Sequence, residues 1–217
     1  FGSLMHFRPE NAPEGAAMRC QDCKAKEKCP YDAEKIYLTD ERTGVLHGHT
    51  GWPANVLVSH PNEERIRAAL AEGPYGRCVY HCDNDVVDHQ IVNLEMEDGV
   101  TVSFTMCAFN QGGREIHVMG TMGEIVGDMN ANTITVTVFG QKPETVDVRT
   151  LADDFSGHGG GDRRLVEDLL DLEEGRAGQA LTSIEKSMES HYMAMAAEYS
   201  RLRHGETVEL EKFVNET

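Results

Sequence analysis

Apolar and polar residues alternate most clearly over residues 77–109, and this period of two predicts a pair of β-strands. Shorter alternating segments follow at 115–119, 124–127 and 133–139, with a weaker one at 145–148. The short turns between these segments favour antiparallel pairing. The middle of the chain is therefore predicted to form an antiparallel sheet.

The alternation also selects the turn of the first hairpin. A two-residue loop, Asp98-Gly99, would pair Glu97 with Val100 and bring acids onto the face that carries valines, because a one-residue slip exchanges the two faces. A three-residue loop that includes Glu97 instead pairs Met96 with Val100 and places Gly99 in the left-handed conformation. We predict the three-residue loop.

Apolar residues at helical spacing predict three helices. The first starts at Pro61, the second follows the glycine-rich residues 157–161 and closes near Gly175, and the third opens at the capping box Thr182–Glu185. His191 lies on the apolar stripe of the third helix and is predicted to be a core histidine. Strands first and helices last indicate an α+β fold, with an open, mainly antiparallel β-sheet and helices packed on one face.

The other face of the predicted sheet is partly apolar. Its members are Val87, His89, Ile91, Thr105, Cys107 and Phe109. Such a face commonly meets another sheet, so we predict homo-oligomerisation through it, with a plain exposed face as the alternative.

Residues 8–61 lack any long periodic segment and form an irregular excursion, which contains Cys20, Cys23 and Cys29. The spacing of these cysteines is part of a zinc pattern, but a structural zinc site takes four ligands. The candidates for the fourth are His6, His47, His49, Cys78 and Cys82. Zinc held by the three cysteines, free thiols and a disulfide all remain open.

The net charge of −17 argues against binding to nucleic acid or to an anionic membrane surface. The apolar stretches are too short to span a bilayer. Three of the six cysteines fall in core-like segments, which favours a reducing, cytoplasmic location.

Two polar segments are candidate ligand sites. Residues 81–89 are dense in acid–base groups. Alternation places Asp88 near the core, where a carboxylate needs hydrogen-bond or charged partners, so a structural network is favoured over catalysis.

The segment Gly157–Asp162 offers free backbone N–H groups, with His158 as a polar contact or proton carrier. It is not a dinucleotide fingerprint, because no βαβ unit surrounds it. The alternative is a flexible linker with Asp162 as the helix N-cap.

Five segments resemble the C-terminal half of the Gfo/Idh/MocA oxidoreductases: Gly73–Tyr80, Cys82–Gln90, Val118–Glu124, Gly157–Asp162 and Arg19–Pro30. The likeness extends from Phe1 to about Leu210. It implies that residues 1–217 form a single C-terminal domain for substrate binding and oligomerisation, beside an N-terminal Rossmann domain that binds NAD or NADP. It further implies hydride transfer between the nicotinamide and a sugar, polyol or inositol.

The resemblance places His158 and Asp162 on the loop that faces the cleft in related members, and Asp85 and His89 are further expected substrate contacts. The family's glycine-rich nucleotide motif and its catalytic lysine do not occur here, and the first residue is Phe1. We therefore expect a chain cut from a longer protein and inactive alone. The alternative is a non-enzymatic assembly or metal-binding module derived from such an enzyme.

Overall fold

The structure is a computed structural model that describes residues 1–151, 156–176 and 183–216. The chain divides into two compact units, Phe1–Ala108 and Phe109–Thr217. Strands and helices are present in both units, so the predicted α+β class is confirmed.

The described residues contain seven strands and six α-helices. The strands are β1 (Gly2–Ser3), β2 (His89–Glu95), β3 (Thr101–Cys107), β4 (Glu115–Met119), β5 (Gly123–Asp128), β6 (Thr133–Val138) and β7 (Glu144–Asp147). The helices are α1 (Ala54–Leu57), α2 (Glu63–Glu72), α3 (Ser156–Gly159), α4 (Gly161–Glu173), α5 (Ile184–Leu202) and α6 (Leu210–Glu216).

The first unit contains an antiparallel sheet in the order β1-β2-β3. Leu94 lies opposite Val102, and beyond the strands the N–H of Met96 donates to the carbonyl of Val100 at 2.8 Å. Gly99 has a φ of 82°. The three-residue loop predicted from the alternation is confirmed.

The second unit contains an antiparallel sheet in the order β4-β5-β6-β7, over the segments in which the sequence predicted strands. The prediction of one open sheet is wrong, because the described strands form two sheets. Between β3 and β4 the side chain of Asn110 accepts a hydrogen bond from the N–H of Gly112 at 2.6 Å and donates to the carbonyl of Gly113 at 3.2 Å. This local turn separates the two ladders; alternation identifies strands but not their neighbours. Packing of helices on one sheet face stays a prediction.

The buried core of the first unit lies mainly in the irregular excursion and α2. Its fully or nearly buried members are Cys20, Ala33, Leu38, Ala54, Ile66 and Leu70. Helix α2 begins at Glu63, because the side chain of Asn62 accepts the N–H of Arg65 at 2.9 Å. Pro61 therefore lies outside the helix that it was predicted to start.

Helix α5 begins after Ser183, whose hydroxyl accepts the N–H of Lys186 at 3.4 Å. The predicted cap, Thr182, lies outside the described residues.

The prediction of a core histidine is wrong, because His191 is exposed and its Nδ1 bonds to the carbonyl of Ser187 one turn earlier. Helical spacing locates the apolar stripe but does not say what covers it. None of the described helices has the length and apolar character that a membrane crossing requires.

Candidate functional site

Three of the six cysteines, Cys20, Cys23 and Cys29, lie in or directly after two 3₁₀ turns of the first unit. Residues Cys20–Asp22 form a 3₁₀ turn in which the N–H of Cys23 donates to the carbonyl of Cys20 at 3.1 Å. Side chains three residues apart in a 3₁₀ turn lie on the same side. A second turn, Lys26–Lys28, is closed by the N–H of Cys29, which donates to the carbonyl of Lys26 at 3.1 Å.

Cys78 reaches this cluster from a distant part of the sequence. Arg19 and Arg77 form an antiparallel β-bridge, and the N–H of Cys78 donates to the carbonyl of Met18 at 2.9 Å. The guanidinium of Arg19 also donates to the carbonyl of Leu70 at 2.7 Å, at the end of α2. These bonds bring the residues next to Cys20 alongside those next to Cys78.

The four cysteines line one cavity of about 10 Å³, which is close to the space that a single water molecule occupies. The remaining lining residues are Pro13, Ala16, Ala25, Lys26, Tyr31, Asp32, Val79 and Tyr80. Two of the sulfurs accept backbone hydrogen bonds, Cys20 from Ala33 at 3.5 Å and Cys29 from Tyr31. The cavity is a small thiol-rich space with defined N–H donors.

The electrostatics of the cavity favour protonated thiols when no cation is near. Burial raises the pKa of Cys20, and the negative charges of Asp32, Cys78 and Cys29 add to this, against the hydrogen bond from Ala33. Burial likewise raises the pKa of Cys29. All six cysteines are free thiols. Within the described residues, no three His, Cys, Asp or Glu side chains are already placed together as metal ligands.

The other two cysteines lie apart from the cavity lining. The thiol of Cys82 donates to the carbonyl of Cys78 at 3.3 Å, and Cys107 is exposed on β3. In the sequence, Cys107 belongs to the partly apolar face that is predicted to be open or to meet another copy, and it is exposed there. A strand pattern gives the face of a residue, but not whether that face is covered.

Asp88 organises a buried hydrogen-bond network in the first unit. Its carboxylate accepts the N–H groups of Met5 at 2.9 Å and His6 at 2.7 Å, and it bonds to Nδ1 of His89 at 2.8 Å. Burial acts to raise the pKa of Asp88, but these hydrogen bonds, that of His6 foremost, outweigh burial and hold the pKa below its ordinary value. The network ties the N-terminal segment to β2, so the structural interpretation of residues 81–89 fits its geometry.

The predicted substrate residues of this segment do not form one site. Asp85 is exposed, whereas His89 is held by the buried Asp88 and keeps 41% of its side chain exposed. The described hydrogen bonds and ion pairs do not join the two. Their role in substrate binding stays a prediction.

His158 and Asp162, by contrast, are brought together in the second unit. His158 has a φ of 48° in α3, and the left-handed Gly160, with a φ of 87°, turns the chain into α4. Nδ1 of His158 lies 2.9 and 3.0 Å from the two carboxylate oxygens of Asp162. Asp162 lies in the first turn of α4, where Gly160 is the N-cap residue without a side-chain bond, so the alternative of Asp162 as N-cap is wrong.

The imidazole and carboxylate of this pair are largely open to solvent, with 87% of the His158 side chain and 63% of the Asp162 side chain exposed. Such a pair is accessible to a polar ligand. The thiol cavity is partly open and suits a small ion, whereas Asp88 is buried and suits a structural role. Comparison with known proteins finds no family model that matches the chain, no matching curated protein and no matching solved structure.

Proposed function

We propose that this chain is the substrate-binding and oligomerisation part of an NAD(P)-dependent oxidoreductase that acts on a sugar, polyol or inositol. The observation that carries the proposal is the exposed His158–Asp162 pair in the glycine-rich segment. The resemblance to Gfo/Idh/MocA enzymes places this same segment against the substrate.

The geometry of the pair suits recognition of hydroxyl groups. A carboxylate accepts hydrogen bonds only, so Asp162 holds the proton of His158 on Nδ1. Nε2 is then the basic nitrogen of the neutral imidazole, able to accept a hydrogen bond or a proton from a substrate hydroxyl. Carboxylate-oriented histidines carry this role in many sites that move protons.

Two glycines add to the accessibility of His158. Gly159 and Gly160 both have positive φ, the region that L side chains disfavour, and neither carries a side chain that could cover the histidine. A sugar or polyol, rich in hydroxyls and without charge, matches one basic nitrogen and one carboxylate on an open loop.

The nicotinamide cofactor does not fit the described residues of this chain. Their strand pairs are all antiparallel, whereas a dinucleotide site needs a parallel βαβ unit with a glycine-rich turn. When bound, the nicotinamide accepts or donates the hydride, and the proposal assigns its binding to another domain. We propose no cofactor contact for this chain.

The oligomerisation part of the proposal rests on the first sheet. Ile91 lies opposite Thr105 and is half exposed, and Cys107 on the same face is exposed. A partly apolar, β-branched face of this kind is suited to meet a second copy. Sedimentation at several protein concentrations tests this, with Ile91→Glu expected to shift the population to monomer.

NAD(H) titrations test whether cofactor binding belongs to another domain and not to this chain. The chain alone should bind neither NADH nor NADPH. A longer chain that includes an upstream nucleotide-binding domain should bind one of them and should reduce its oxidised form, NAD⁺ or NADP⁺, with a polyol. Tight binding by this chain alone would contradict the proposal.

The role of the pair is tested in that longer enzyme by His158→Asn. We expect kcat/KM for the polyol to fall by about 10²–10⁴-fold, the range for a positioned acid–base group. Glu167→Gln is the matched control, because Glu167 forms an exposed i,i+4 pair with Arg163 on the same helix. Equal effects of the two substitutions on kcat/KM would show that His158 does not act in the substrate site.

A second candidate function is a non-enzymatic metal-binding or assembly module, which the four-cysteine cavity favours. The longer chain separates the two: hydride transfer from a polyol to NAD⁺ or NADP⁺ supports the oxidoreductase, and its absence in a folded, cofactor-binding protein supports the module.

A further inference from the structure

We propose that Cys20, Cys23, Cys29 and Cys78 form a tetrathiolate site for one zinc ion, with Cys78 as the fourth ligand. The three-cysteine pattern left this ligand open among five candidates. The four cysteines line a single cavity, and neither Cys82 nor any of the three candidate histidines does.

The backbone places the four thiols for this role. The 3₁₀ turn puts Cys20 and Cys23 on one side, and the bridge between Arg19 and Arg77 fixes the approach of Cys78. Backbone N–H groups donate to two of the sulfurs. Such hydrogen bonds stabilise negative charge on sulfur, and thiolates are the form that binds metals.

Four thiols complete the ligand set of one zinc ion. The cavity that they line has a volume of about 10 Å³, which is enough for one water-sized object. Zinc is bound tetrahedrally by sulfur at about 2.3 Å, which sets the sulfurs about 3.8 Å apart.

The chemistry of the lining selects a soft metal. Asp32 is the carboxylate in the lining, and it already accepts the N–H groups of Glu34 at 3.2 Å and Lys35 at 3.3 Å. Sulfur ligands suit zinc, whereas calcium and magnesium require oxygen. Asp32 therefore serves the turn that follows it and leaves the metal to the thiols.

Binding requires a change of cysteine rotamers. The side chains line the cavity but are not placed as ligands. A cysteine has one torsion that moves its sulfur, so the sulfurs change position by rotation between staggered rotamers. The metal displaces the thiol protons as it binds.

Elemental analysis of the purified full chain, expressed with added zinc under reducing conditions, is the first test. We expect about one zinc per chain. Zinc far below one equivalent, iron in its place, or a disulfide between two of these cysteines in the freshly isolated protein would each overturn the proposal. None of these results depends on NAD(H) or substrate binding, so the proposed function stands or fails separately.

Single serine variants test the fourth ligand. Cys78→Ser should weaken zinc binding by more than about tenfold, and in the cobalt-substituted protein it should lower the sulfur-to-cobalt charge-transfer absorption. Cys82→Ser and Cys107→Ser are the matched controls, since both residues lie outside the lining. A loss in Cys82→Ser equal to that in Cys78→Ser would overturn the assignment.

Wild-type protein supplies a measurement that does not depend on a variant folding. Alkylation of each cysteine is followed by mass spectrometry with and without a chelator. We expect the chelator to accelerate modification of the four cavity cysteines and to leave Cys107 unchanged. Protection of three, or uniform rates for all six, would overturn the tetrathiolate site.

Discussion

The two units of the chain differ in where they place their apolar residues. The first has a buried core built from residues without periodic spacing, such as Leu38 and Ala54. In the second unit the apolar residues lie in elements with periodic patterns, as they also do in β2 and β3 of the first unit, yet Ile116 on β4, Leu169 on α4 and Ile184 on α5 are exposed. Ala196 is the buried hydrophobic residue among its described positions.

An apolar pattern therefore does not by itself show that the residues are buried within their own unit. In the first unit, turns and caps collect scattered residues into a core that the unit completes by itself. In the second unit, periodic faces are formed but are not buried within its described part. Regular elements are stable when an apolar face meets another layer, and the described part of the second unit supplies no such layer for these faces.

The largest test of this difference is a pair of leucine truncations. Leu70→Ala removes a fully buried side chain from the core, and we expect the free energy of unfolding to fall by about 2–5 kcal/mol. Leu169→Ala removes a side chain that is 56% exposed, and the change should stay within about 0.5 kcal/mol. Urea unfolding of the isolated chain measures both, and equal losses would break the comparison.

The strands were predictable from the sequence because their evidence is local. Alternation fixed the register of β2 and β3, since any slip would have exchanged the two faces. The division into two sheets was not predictable, because a pattern identifies a strand without naming its neighbour. Ile66 and Leu70 lie on the helical apolar stripe that the sequence shows, but the burial of Leu38 was not predictable, because it lies in a single π-helical turn without a repeating pattern.

Removal of the Asp88 carboxylate is expected to have the next largest effect on the free energy of unfolding, and this effect depends on pH. The folded pKa of Asp88 lies below the ordinary value, so its stabilisation is present above the unfolded pKa of about 3.9 and is lost as the pH falls through the folded pKa. Asp88→Asn should lower the free energy of unfolding at neutral pH by about 1.5–3 kcal/mol and flatten its dependence on acid.

Asp147 in the second unit is the matched control for Asp88. Hydrogen bonds from the side chain and backbone of Arg149 lower its pKa too, but 40% of its side chain is exposed to solvent. Solvent screens such a pair, so Asp147→Asn should change the acid dependence far less. Unfolding free energies measured from neutral pH to about pH 3 compare the two. An Asp147→Asn effect as large as that of Asp88→Asn would show that burial does not separate the units.

The candidate sites divide in the same way as the fold. His158 and Asp162 are four residues apart, so a loop and one helical turn bring them together and the sequence could pair them. Cys78 is far from Cys29 in sequence, and its place in the cavity depends on the bridge between Arg19 and Arg77. No local spacing carries that information.

Substitution of one glycine in each unit by alanine is a smaller test, and the expected changes in stability have opposite signs. A Cβ at Gly76 would collide with the backbone carbonyl of Leu70, so Gly76→Ala should destabilise the first unit by about 1–3 kcal/mol. Among the residues that the structure describes, a Cβ at Gly161 would meet nothing closer than His158 Cβ at 4.0 Å, and Gly161 starts α4. Gly161→Ala should stabilise the helix by about 0.5 kcal/mol. Thermal unfolding measures both, and a loss of stability in Gly161→Ala would contradict the open environment of that loop.

The smallest expected change in stability is the one that most sharpens the functional comparison. Asp162→Asn removes a charge from an exposed pair, and such pairs contribute about 0–1 kcal/mol, so the free energy of unfolding should scarcely move. The same substitution removes the group that holds the proton of His158 on Nδ1, so substrate affinity in the longer enzyme should fall while stability does not. A stability loss as large as that of Asp88→Asn would make the pair a structural one. An unchanged KM and kcat beside unchanged stability would leave His158 without the orienting partner that its proposed role requires.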